Sequence, residues 1–543
     1  MNNKLFFFAV AILLSCTSSW ATNYYVHPEL GREDNTGTNL LYPFQSLAQL
    51  QDLDLSPGDS ILLAAGYTFP GTIVLQSVKG TENAPIVISS YTVGNALEDP
   101  RARIDARGQA NGILLIDAGH IVVRDLIIEA DGGGPLADSD MRCGVLVRPQ
   151  TPGDYRNISL HHLDIRNVFY EDPGISRGKD EVRTANGSQS YGWGIRFINR
   201  TEGAELSEIR VTDCMVEHVA HTGIKFTGRD KSIRRIRLYN NRVLRTGGPG
   251  IQMSGVVDGH IKNNYVSHSG SPDDSRKWGR GSGLWTWGSS EIIIERNHFL
   301  NANGPGDSAG CHIDFNCNNV IVQYNFSANN AGGFCEILGN NYNCAYRYNI
   351  SVNDGHRVKG KEGAFQEGKI FWLSGYQGNK NPRKGPFNSY FYNNTIYVNQ
   401  DIVAKIAVDK AASGILIANN IFYIAGASQA VLGDQYRPEK EGASSITHVN
   451  FTNNLYLSPG NWPEKVLIQD TAPKIGNPGF HHAGGLNITD YIPANTAIID
   501  RQGIPIQPLT NDTIGLYIGL QPETDILGNP NGDRPDLGAI AVH

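Results

Sequence analysis

A repeat in the second half of the chain constrains its fold more than any other sequence feature. Between residues 281 and 349, a glycine-rich approach, a short apolar strand and a polar turn occur three times, and each time a second strand follows. A shift of 24 residues (325 to 349) aligns Tyr324-Asn325 with Tyr348-Asn349 and Cys311 with Cys335. A period of about 20–50 residues with two short strands per unit is typical of a solenoid. The sequence therefore predicts stacked coils.

The repeat also predicts which side chains face outward. Side chains of a strand alternate between its two faces. If Ile313 and Ile337 lie inside the coils, their neighbours point out, and one coil earlier Leu284 and Thr286 take the inward positions. The glycine-led segments at 194–197, 223–226 and 250–253 fit the same frame. Parallel stacking then predicts an outward row of Arg196, Lys225, Gln252, Trp285, His312 and Glu336, and a second row of Trp287 and Asp314.

These two rows favour a polysaccharide-binding groove, because they combine cationic, aromatic and carboxylate side chains on one face. The alternative is an ordinary solvated polar face. Two outward tryptophans argue against that alternative, since large aromatic side chains are uncommon on a plain surface.

The N-terminus predicts export. Lys4 precedes the apolar run Leu5–Leu14, which is too short to span a bilayer. A small-x-small site at Ser19–Ala21 would release a chain from residue 22, so residues 1–21 are expected to be a signal peptide. A lipobox ending at Cys16 is the alternative, and it would make the protein an outer-membrane lipoprotein. The first site is favoured because strand-like residues begin at 24, and we expect a secreted or periplasmic protein.

Composition excludes several classes of function. Charged residues make up 18% of the 543 residues and the net charge is −7, so general nucleic-acid binding is not expected. No long apolar span follows the N-terminus, so no transmembrane helix is predicted. Phosphate loops, zinc patterns and nucleophile elbows are absent. Cys311 and Cys335 occupy equivalent inward positions, where they would form a disulfide or stack as small apolar residues; stacking is favoured.

The mature chain divides into three parts. Residues 22–110 form an N-terminal cap and the first coils, 111–460 a β-helix with loop insertions, and 461–543 a closing segment that lacks the repeat and wraps the far end. A short helix over Pro43–Leu50 is expected to cover the open end of the solenoid.

Both ends of the chain resemble a known family. The matching residues are Gly37-Thr38, Pro43-Phe44, Pro57–Asp59, Pro85–Ile88, Asp525–Pro530 and Pro535–Ala539. They resemble the corresponding segments of secreted, carbohydrate-active proteins of the pectin-lyase-like superfamily. The resemblance implies an all-β fold, a right-handed parallel β-helix. It does not decide the reaction, because similar proteins include both hydrolases and lyases.

A recurring position at the turn between two strands predicts a structural ladder. It carries Asp125, His162 and Asp213, and then asparagine alone: Asn241, Asn264, Asn297, Asn325, Asn349, Asn394, Asn420 and Asn454. Asparagine tolerates the left-handed turn conformation, and its amide can bond backbone groups along stacked coils. We therefore do not nominate these residues as catalytic.

Three insertions interrupt the coils near one face, at 168–192, 267–282 and 354–388. The second holds Arg276, Lys277, Trp278 and Arg280, and the third holds His356, Arg357, Lys359 and Lys361. Long loops on a rigid scaffold are where binding residues concentrate.

A pair of carboxylates predicts glycoside hydrolysis, which needs two carboxyl groups flanking the bond. Asp314 and Glu336 are diagonal neighbours on adjacent strands, so their β-carbons should lie roughly 7–8 Å apart. That spacing fits the inverting range of about 6.5–9.5 Å better than the retaining range of about 5–5.5 Å. Asp307 is a third candidate, and His312 would tune the proton affinity of Glu336 or bind substrate.

The remaining candidates predict substrate contacts. Trp285 and Trp287 would stack on sugar rings. Cationic side chains would bind carboxylates or sulfates, namely Arg196, Lys225, Arg276, Lys277 and Arg280. With Gln252 they complete the predicted binding set. An acidic polysaccharide or oligosaccharide is favoured over a neutral glycan, and we expect a monomer.

Two other functions compete with the secreted glycoside hydrolase that the sequence favours. A polysaccharide lyase would use Lys225 or His312 as the base and Arg196 or Arg280 to neutralise a uronate. No cofactor or metal site is predicted; calcium would be an option only for the lyase, since some similar lyases use it, and the sequence shows no acidic cluster strong enough to predict a calcium site. The third function is a non-enzymatic, glycan-binding β-helix.

Overall fold

Parallel strands form the stacked coils of the described chain. The computed structural model describes residues 21–92, 101–130, 141–168, 192–270, 281–431, 448–462 and 469–542. In these ranges the strands stack into one sheet of 26 strands (sheet A) and one of 12 strands (sheet B). The helical segments there are 3₁₀ turns at Leu47–Leu50, Arg229–Lys231, Pro459–Asn461, Ile488–Tyr491 and Thr496–Ile498. The predicted all-β, parallel β-helix is confirmed.

Sheet B contains one strand from each coil. Its strands are Ile73–Gln76, Asn111–Ile116, Cys143–Arg148, Trp193–Asn199, Ile224–Gly228, Ile251–Ser254, Leu284–Trp287, Cys311–Ile313, Gly333–Ile337, Lys369–Leu373, Ala404–Val408 and Ser428–Val431.

Sheet A forms the other two sides of each coil. The long strands Ile121–Glu129 and Gly153–Val168 bend across a corner and pair with both rows of shorter strands, which joins the two rows into one sheet. The remaining strands are Asn23–Val26, Ser60–Ala64, Thr68–Pro70, Ile86–Tyr91, Ala102–Asp105, Ala204–Thr212, Met215–Val219, Ile233–Tyr239, Arg242–Thr246, Val256–Lys262, Tyr265–Ser267, Ser290–Glu295, His298–Leu300, Asn318–Gln323, Phe326–Ala328, Ala345–Arg347, Ile350–Val352, Phe387–Tyr392, Thr395–Val398, Ser413–Ala418, Ile421–Ile424, Val449–Thr452, Leu455–Tyr456 and Lys474–Ile475.

The interior is filled by equivalent residues stacked on one another. Ile195, Ile224 and Ile251 are in register on successive strands of sheet B and are fully buried. The rings of Phe197 and Phe226 stack in parallel with their centroids 4.9 Å apart. Each coil therefore covers the apolar surface of its neighbour, which removes that surface from water and stabilises the stack.

Glycine occurs near the start of several strands of sheet B because successive coils approach each other closely there. A Cβ atom added to Gly250 would lie 2.7 Å from the carbonyl oxygen of Gly283 in the next coil and would also meet the side chain of Val266. Gly223 is placed in the same way against Gly250. The glycine-rich approaches in the repeat thus reflect lack of space between coils.

The predicted asparagine ladder is confirmed. In each step the side-chain amide nitrogen donates to the amide oxygen of the next ladder residue; the Asn241–Asn264 and Asn325–Asn349 distances are 2.9 and 3.0 Å. The same oxygen accepts the backbone N–H of the preceding ladder residue, as Asn325 does from Asn297 at 2.9 Å. The ladder runs without interruption from Asn241 to Asn454 and ends on Asp470.

The sequence alignment of this ladder is wrong by one residue in its first three members. Asp125, His162 and Asp213 have left-handed backbones, with φ near +50°, and so do the residues directly before the ladder asparagines, such as Asn240. Cys214, and not Asp213, is in register with Asn241 and donates its backbone N–H to the Asn241 amide oxygen. The left-handed turn therefore belongs to the preceding residue, and the ladder asparagines supply only hydrogen bonds.

The ends of the stack are covered by separate segments. The expected helix over Pro43–Leu50 is a 3₁₀ turn of four residues, in which Leu47 and Leu50 are buried in the core. It is shorter than predicted because its preceding residues pair with the first strand, as in the Phe44 N–H donation to the Tyr25 carbonyl. Trp462 packs against the last aromatic side chains of the stack, with its ring 5.1 Å from that of Phe422.

Residues 469–542 lie along the corner between the two rows of sheet A. Arg347 donates to the carbonyl oxygen of Gly519 and Arg296 to that of Ile526, at 2.7 and 3.0 Å. Tyr324 donates to the carbonyl of Thr524 at 2.9 Å. The segment thus covers the left-handed turns of several coils.

A second, shorter ladder ends at a buried carboxyl group. Asn330 accepts the backbone N–H of Ala302, and Asp354 in turn accepts the backbone N–H and the side-chain amide of Asn330, at 2.9 and 2.8 Å. Ser351 donates to the other oxygen of Asp354 at 2.7 Å. Burial raises the pKa of Asp354 to about 7, although its hydrogen bonds act in the opposite direction.

Replacing a ladder asparagine tests the stacking. Asn325→Ala removes hydrogen bonds to Asn297, Asn349 and the Ile294 carbonyl and leaves buried polar groups without partners. We expect it to lower the free energy of unfolding by about 3 kcal/mol or more, measured by denaturant titration. Asn23→Ala, an exposed control, should change it by less than about 0.5 kcal/mol. Equal effects of the two variants would contradict a stabilising ladder.

Asp354 predicts a specific pH dependence of stability. Its folded-state pKa lies above the ordinary value of 3.8, so the folded state binds the proton more tightly. Its stabilising contribution is complete below about pH 4 and is lost as the pH rises through about 7. In Asp354→Asn the melting temperature should fall less between pH 5 and pH 8 than in the wild type. Exposed Asp52→Asn is the control and should keep the wild-type slope; a wild-type slope in Asp354→Asn would contradict the prediction.

Candidate functional site

The outward row of sheet B lies in the register that the sequence predicts. Strand pairing places the predicted residues opposite one another in the order Arg196, Lys225, Gln252, Trp285 and His312. The next coil continues the row with Glu336, because Ile313 is paired with Ile337. Trp287 is opposite Ser254, and the pairing of Thr286 with Ile313 puts Asp314 beside Trp287 in the second row. Sheet B therefore brings two of the predicted carboxylates, two of the predicted cations and both tryptophans onto one face.

Most of these side chains are buried, which the sequence pattern does not predict. Arg196 is 1% exposed and Lys225 6%, and His312, Asp314 and Glu336 are also buried. Trp287 differs, with 43% of its surface exposed. Packing between coils accounts for part of the burial: the indole of Trp285 meets the His312 imidazole edge-on, with ring centroids 5.6 Å apart. The alternation along a strand predicts only whether a side chain points inward or outward, whereas its burial depends on side chains contributed by other coils.

The first strands of the row hold two neighbouring cations in apolar surroundings. The guanidinium group of Arg196 lies over the indole of Trp193, 4.0 Å from the ring centroid, and Leu146 is opposite it on the preceding strand. Burial lowers the pKa of Arg196 to about 10. Burial, followed by repulsion from Arg196 and Arg200, holds the pKa of Lys225 well below its ordinary value. Trp193 is the first residue of its strand, directly before Gly194, and the repeat does not predict whether its side chain points inward or outward.

An aromatic series lies beside the second row. The ring of Trp287 packs edge-on against Phe315 at 5.9 Å, and Phe315 packs edge-on against Tyr376 at the same distance. All three rings are at least partly exposed. The sequence predicts only Trp287, because Phe315 follows the end of a short strand and Tyr376 belongs to an insertion. Partly exposed aromatic faces of this kind suit the apolar faces of sugar rings.

Asp314 and Glu336 lie on adjacent strands with the diagonal offset that the repeat predicts. Glu336 is opposite His312, two residues before the position opposite Asp314. One oxygen of Asp314 accepts the backbone N–H of Phe315 at 2.9 Å. Behind Glu336, the buried hydroxyl of Tyr346 donates to the backbone carbonyl of Glu336 at 3.1 Å. Both carboxylates are thus attached to a firmly held backbone.

The third carboxylate, Asp307, is placed by a loop that another insertion holds. Asp307 precedes the strand Cys311–Ile313, and its backbone N–H donates to the side-chain oxygen of Gln366. The buried guanidinium group of Arg357 donates to the carbonyls of Gly304 and Asp307, at 2.9 and 3.0 Å. Arg357 and Gln366 both belong to the insertion at 354–388. The sequence pattern places Arg357 among the cations of a loop and does not predict that it or Gln366 holds Asp307, because these contacts are made between separate segments.

The row continues past Glu336 with an unpredicted cation–aromatic pair. Trp372 is opposite Glu336 on the next strand. The ammonium group of Lys369 lies over the indole of Trp372, 3.6 Å from the ring centroid, and both side chains are buried. On the following strand of sheet B, the ammonium group of Lys405 forms an ion pair with Glu367 at 3.2 Å and donates a hydrogen bond to the Arg357 carbonyl at 2.9 Å. The insertion predicted at 354–388 is therefore wrong in extent, because Lys369–Leu373 within it forms a strand of sheet B. The repeat period does not reveal this strand because a loop over residues 354–368 precedes it.

Several predictions lie outside the described residues. These are the substrate-binding candidates Arg276, Lys277 and Arg280, their neighbour Trp278, the signal peptide and Cys16. Within the described ranges, Cys311 and Cys335 are unbonded and buried, and burial raises the pKa of both thiols, in agreement with stacking. Over the same ranges, no set of three His, Cys, Asp or Glu residues is arranged to hold a metal ion, and no helix has the length and apolarity of a membrane span.

Comparison with known proteins gives a direct test of the fold. A family model described as "Right handed beta helix region" matches residues 193–375. The chain is a right-handed parallel β-helix. The predicted right-handedness is thereby confirmed.

This β-helix is also similar to carbohydrate-active proteins. It is 24% identical to a lacto-N-biosidase of Bifidobacterium longum subsp. longum, over 96% of this chain and 36% of that protein. Crystal structures of a GH136 lacto-N-biosidase from Eubacterium ramulus, native and selenomethionine-labelled, superimpose with a TM-score of 0.53 at 20% and 21% identity, over 75% of this chain and 67% of theirs. The β-helix thus spans about a third of the length of the curated relative.

Proposed function

We propose that this β-helix is a glycoside hydrolase that cleaves an oligosaccharide or polysaccharide on the outward face of sheet B. The observation that carries the proposal is the coincidence of the diagonal carboxylates Asp314 and Glu336 with His312, Trp285 and Trp287 on adjacent coils. Hydrolysis of a glycosidic bond uses two carboxyl groups, and sugar recognition uses aromatic faces beside them.

In the proposed reaction one carboxyl group protonates the glycosidic oxygen as the bond to the anomeric carbon breaks. The other carboxylate activates water, or attacks the anomeric carbon itself. The diagonal offset of Asp314 and Glu336 favours the spacing in which water lies between the carboxylate and the sugar, and so favours inversion. His312, opposite Glu336, would adjust the proton affinity of that carboxyl group.

Asp307 is the competing partner for Asp314. Its loop is held by Arg357 and Gln366, and a carboxylate whose backbone is locked in this way is suited to acid–base chemistry, which depends on precise placement. Asp314 belongs to both pairs, so it is the residue that we assign to catalysis most directly.

The similarity to a lacto-N-biosidase supports hydrolysis as the reaction. Because that similarity covers 36% of the relative, the bond and the sugars cleaved by this β-helix are part of the proposal. An extracellular or periplasmic location suits a polysaccharide substrate and the predicted signal peptide, and we propose it on those grounds.

A polysaccharide lyase is the second candidate, favoured by one specific observation. Lys225 has a pKa well below its ordinary value and lies next to Arg196. A lysine that releases its proton more readily than an exposed one would act as the base for the C5 proton, and the guanidinium group beside it would bind the uronate. Elimination leaves an unsaturated uronate, whose ultraviolet absorbance distinguishes it from the product of hydrolysis.

Amide substitution tests the proposed carboxylates. With new reducing ends as the readout and a panel of neutral and acidic glycans as substrates, Asp314→Asn and Glu336→Gln should each lower kcat about 10³-fold or more, because each loses a proton-transfer or nucleophilic group. Asp258→Asn and Glu205→Gln, carboxylates on sheet A, are matched controls and should retain wild-type kcat.

Asp307→Asn decides which pair acts. A loss as large as that of Asp314→Asn, with activity retained in Glu336→Gln, would make Asp307 the partner of Asp314. If Asp314→Asn kept more than about a tenth of wild-type kcat, the assignment of Asp314 would be wrong. Unsaturated products from the wild-type protein would favour the lyase.

The exposed indole of Trp287 should contribute to sugar binding. Trp287→Ala should raise KM about tenfold with little change in kcat, because stacking on a sugar ring away from the breaking bond stabilises the ground state and the transition state equally. Tyr517→Ala, which removes an aromatic side chain of similar exposure outside sheet B, should leave KM unchanged. Unchanged KM in Trp287→Ala would exclude this platform.

A further inference from the structure

Two cations are buried side by side in the outward row. Arg196 and Lys225 are in register on adjacent strands, which lie about 4.8 Å apart in a sheet. Trp193 covers the face of the guanidinium group, and Leu146 flanks it on the preceding coil. Both charged side chains are more than nine-tenths buried. Like charges at such a distance repel, and burial strengthens the repulsion.

Neither cation is neutralised by the part of the chain that the structure describes. No ion pair joins Arg196 or Lys225 to a carboxylate there, whereas Lys405 on the same sheet is paired with Glu367. The Nε and Nη1 atoms of Arg196 are buried and have no hydrogen-bond partner. The next residue of the row, Gln252, has a buried side-chain oxygen that also lacks a partner.

Such an arrangement is costly for the folded protein alone. An unpaired buried charge and unfilled buried donors each reduce stability, so folding by itself gives no reason for two of them to be adjacent. An anion bound between them would fill the donors and remove the repulsion. Stacking on Trp193 holds the guanidinium plane, so that its N–H groups are preorganised for a carboxylate or sulfate.

We propose that Arg196 and Lys225 form a subsite for an anionic group carried by a sugar, and that the substrate of the β-helix is an acidic glycan. The reaction assigned to this glycan rests on the proposed hydrolase function, whereas the binding does not. Gln252 contributes an acceptor for a hydroxyl group of the same or the next sugar.

The position of the subsite defines which part of the glycan carries the charge. His312 lies three strand-to-strand steps from Lys225 and four from Arg196, which corresponds to about 14 and 19 Å along the sheet. The acidic group is therefore not on the sugar at the catalytic carboxylates. It is on a sugar farther along the chain, so a short oligosaccharide spans from the carboxylates to the cations and crosses Trp285.

Matched glycans test the proposal. Three oligosaccharides with one backbone are needed: neutral, with a uronate, and with a sulfate ester at the sugar distant from the cleaved bond. Binding is measured by calorimetry in Asp314→Asn, and kcat/KM in the wild type. Charge-assisted bonds of about 1.5–3 kcal/mol predict roughly 10–100-fold tighter binding of an acidic glycan than of the neutral one. The uronate and sulfate arms identify which anion the subsite prefers.

Substitution of the cations should remove this preference. Lys225→Met and Arg196→Met, each combined with Asp314→Asn for binding, should lower the acidic-to-neutral affinity ratio about tenfold or more. Arg229→Met, on an exposed turn, is the matched control and should keep the ratio. The melting temperature of Lys225→Met should equal or exceed that of the wild type, because the change removes an unpaired buried charge. A structural role for Lys225 would instead lower the melting temperature.

The outcomes separate the subsite from the reaction. Hydrolysis without any acidic preference would overturn the subsite and leave the hydrolase function intact. Acidic binding that depends on Lys225 and Arg196, without hydrolysis, would support the subsite and overturn the hydrolase. Unsaturated products from the uronate glycan would support the subsite, overturn the hydrolase function and indicate a lyase. If the protein neither binds nor cleaves any of the glycans, both proposals are overturned.

Discussion

Stacking of each coil on the next in fixed register is the constraint on which the rest of this molecule depends. A parallel β-helix buries its apolar residues only if every coil presents the same surface to its neighbours. The asparagine ladder enforces this register, since one amide such as that of Asn325 bonds the coil before it and the coil after it. The glycine positions add a steric condition, because no side chain fits where Gly250 approaches Gly283. Core packing and hydrogen bonding therefore select the same register.

The same register produces the proposed functional face. Once Ile195, Ile224 and Ile251 are aligned inside, the residues after them are aligned outside, and side chains distant in sequence become neighbours. Insertions then complete the face from its edges. Arg357 holds the loop that carries Asp307, so the position of that carboxylate depends on a segment fifty residues away. A rigid stack with variable loops can thus place carboxylates accurately and still accommodate different glycans.

The electrostatics of sheet B differ from those of the core and of sheet A. On sheet A, many charged side chains form exposed pairs, such as Arg234 with Glu205, which contribute little to stability. The buried guanidinium group of Arg347 there donates to neutral oxygens, including the Gly519 carbonyl. On sheet B, Arg196 and Lys225 are buried together with an indole. A buried cation without an anion reduces stability, and such groups persist mainly where a ligand completes them. The buried, unpaired cations of sheet B support the proposal that this sheet binds the glycan, independently of any carboxylate.

The sequence by itself determines the fold class, the inward and outward alternation, the order of residues in the outward row and the structural role of the asparagines. Each of these follows from a period that repeats along the chain, so local pattern is sufficient. It does not determine which residue of the turn is left-handed, since Asp213 and Asn240 look interchangeable with their neighbours in a gapped alignment. Only the tertiary structure decides that Arg196 and Lys225 are buried, that Trp193 covers one of them, and that Arg357 holds Asp307. The physical reason is that burial and loop placement arise from contacts between coils and insertions, which no period in the sequence encodes.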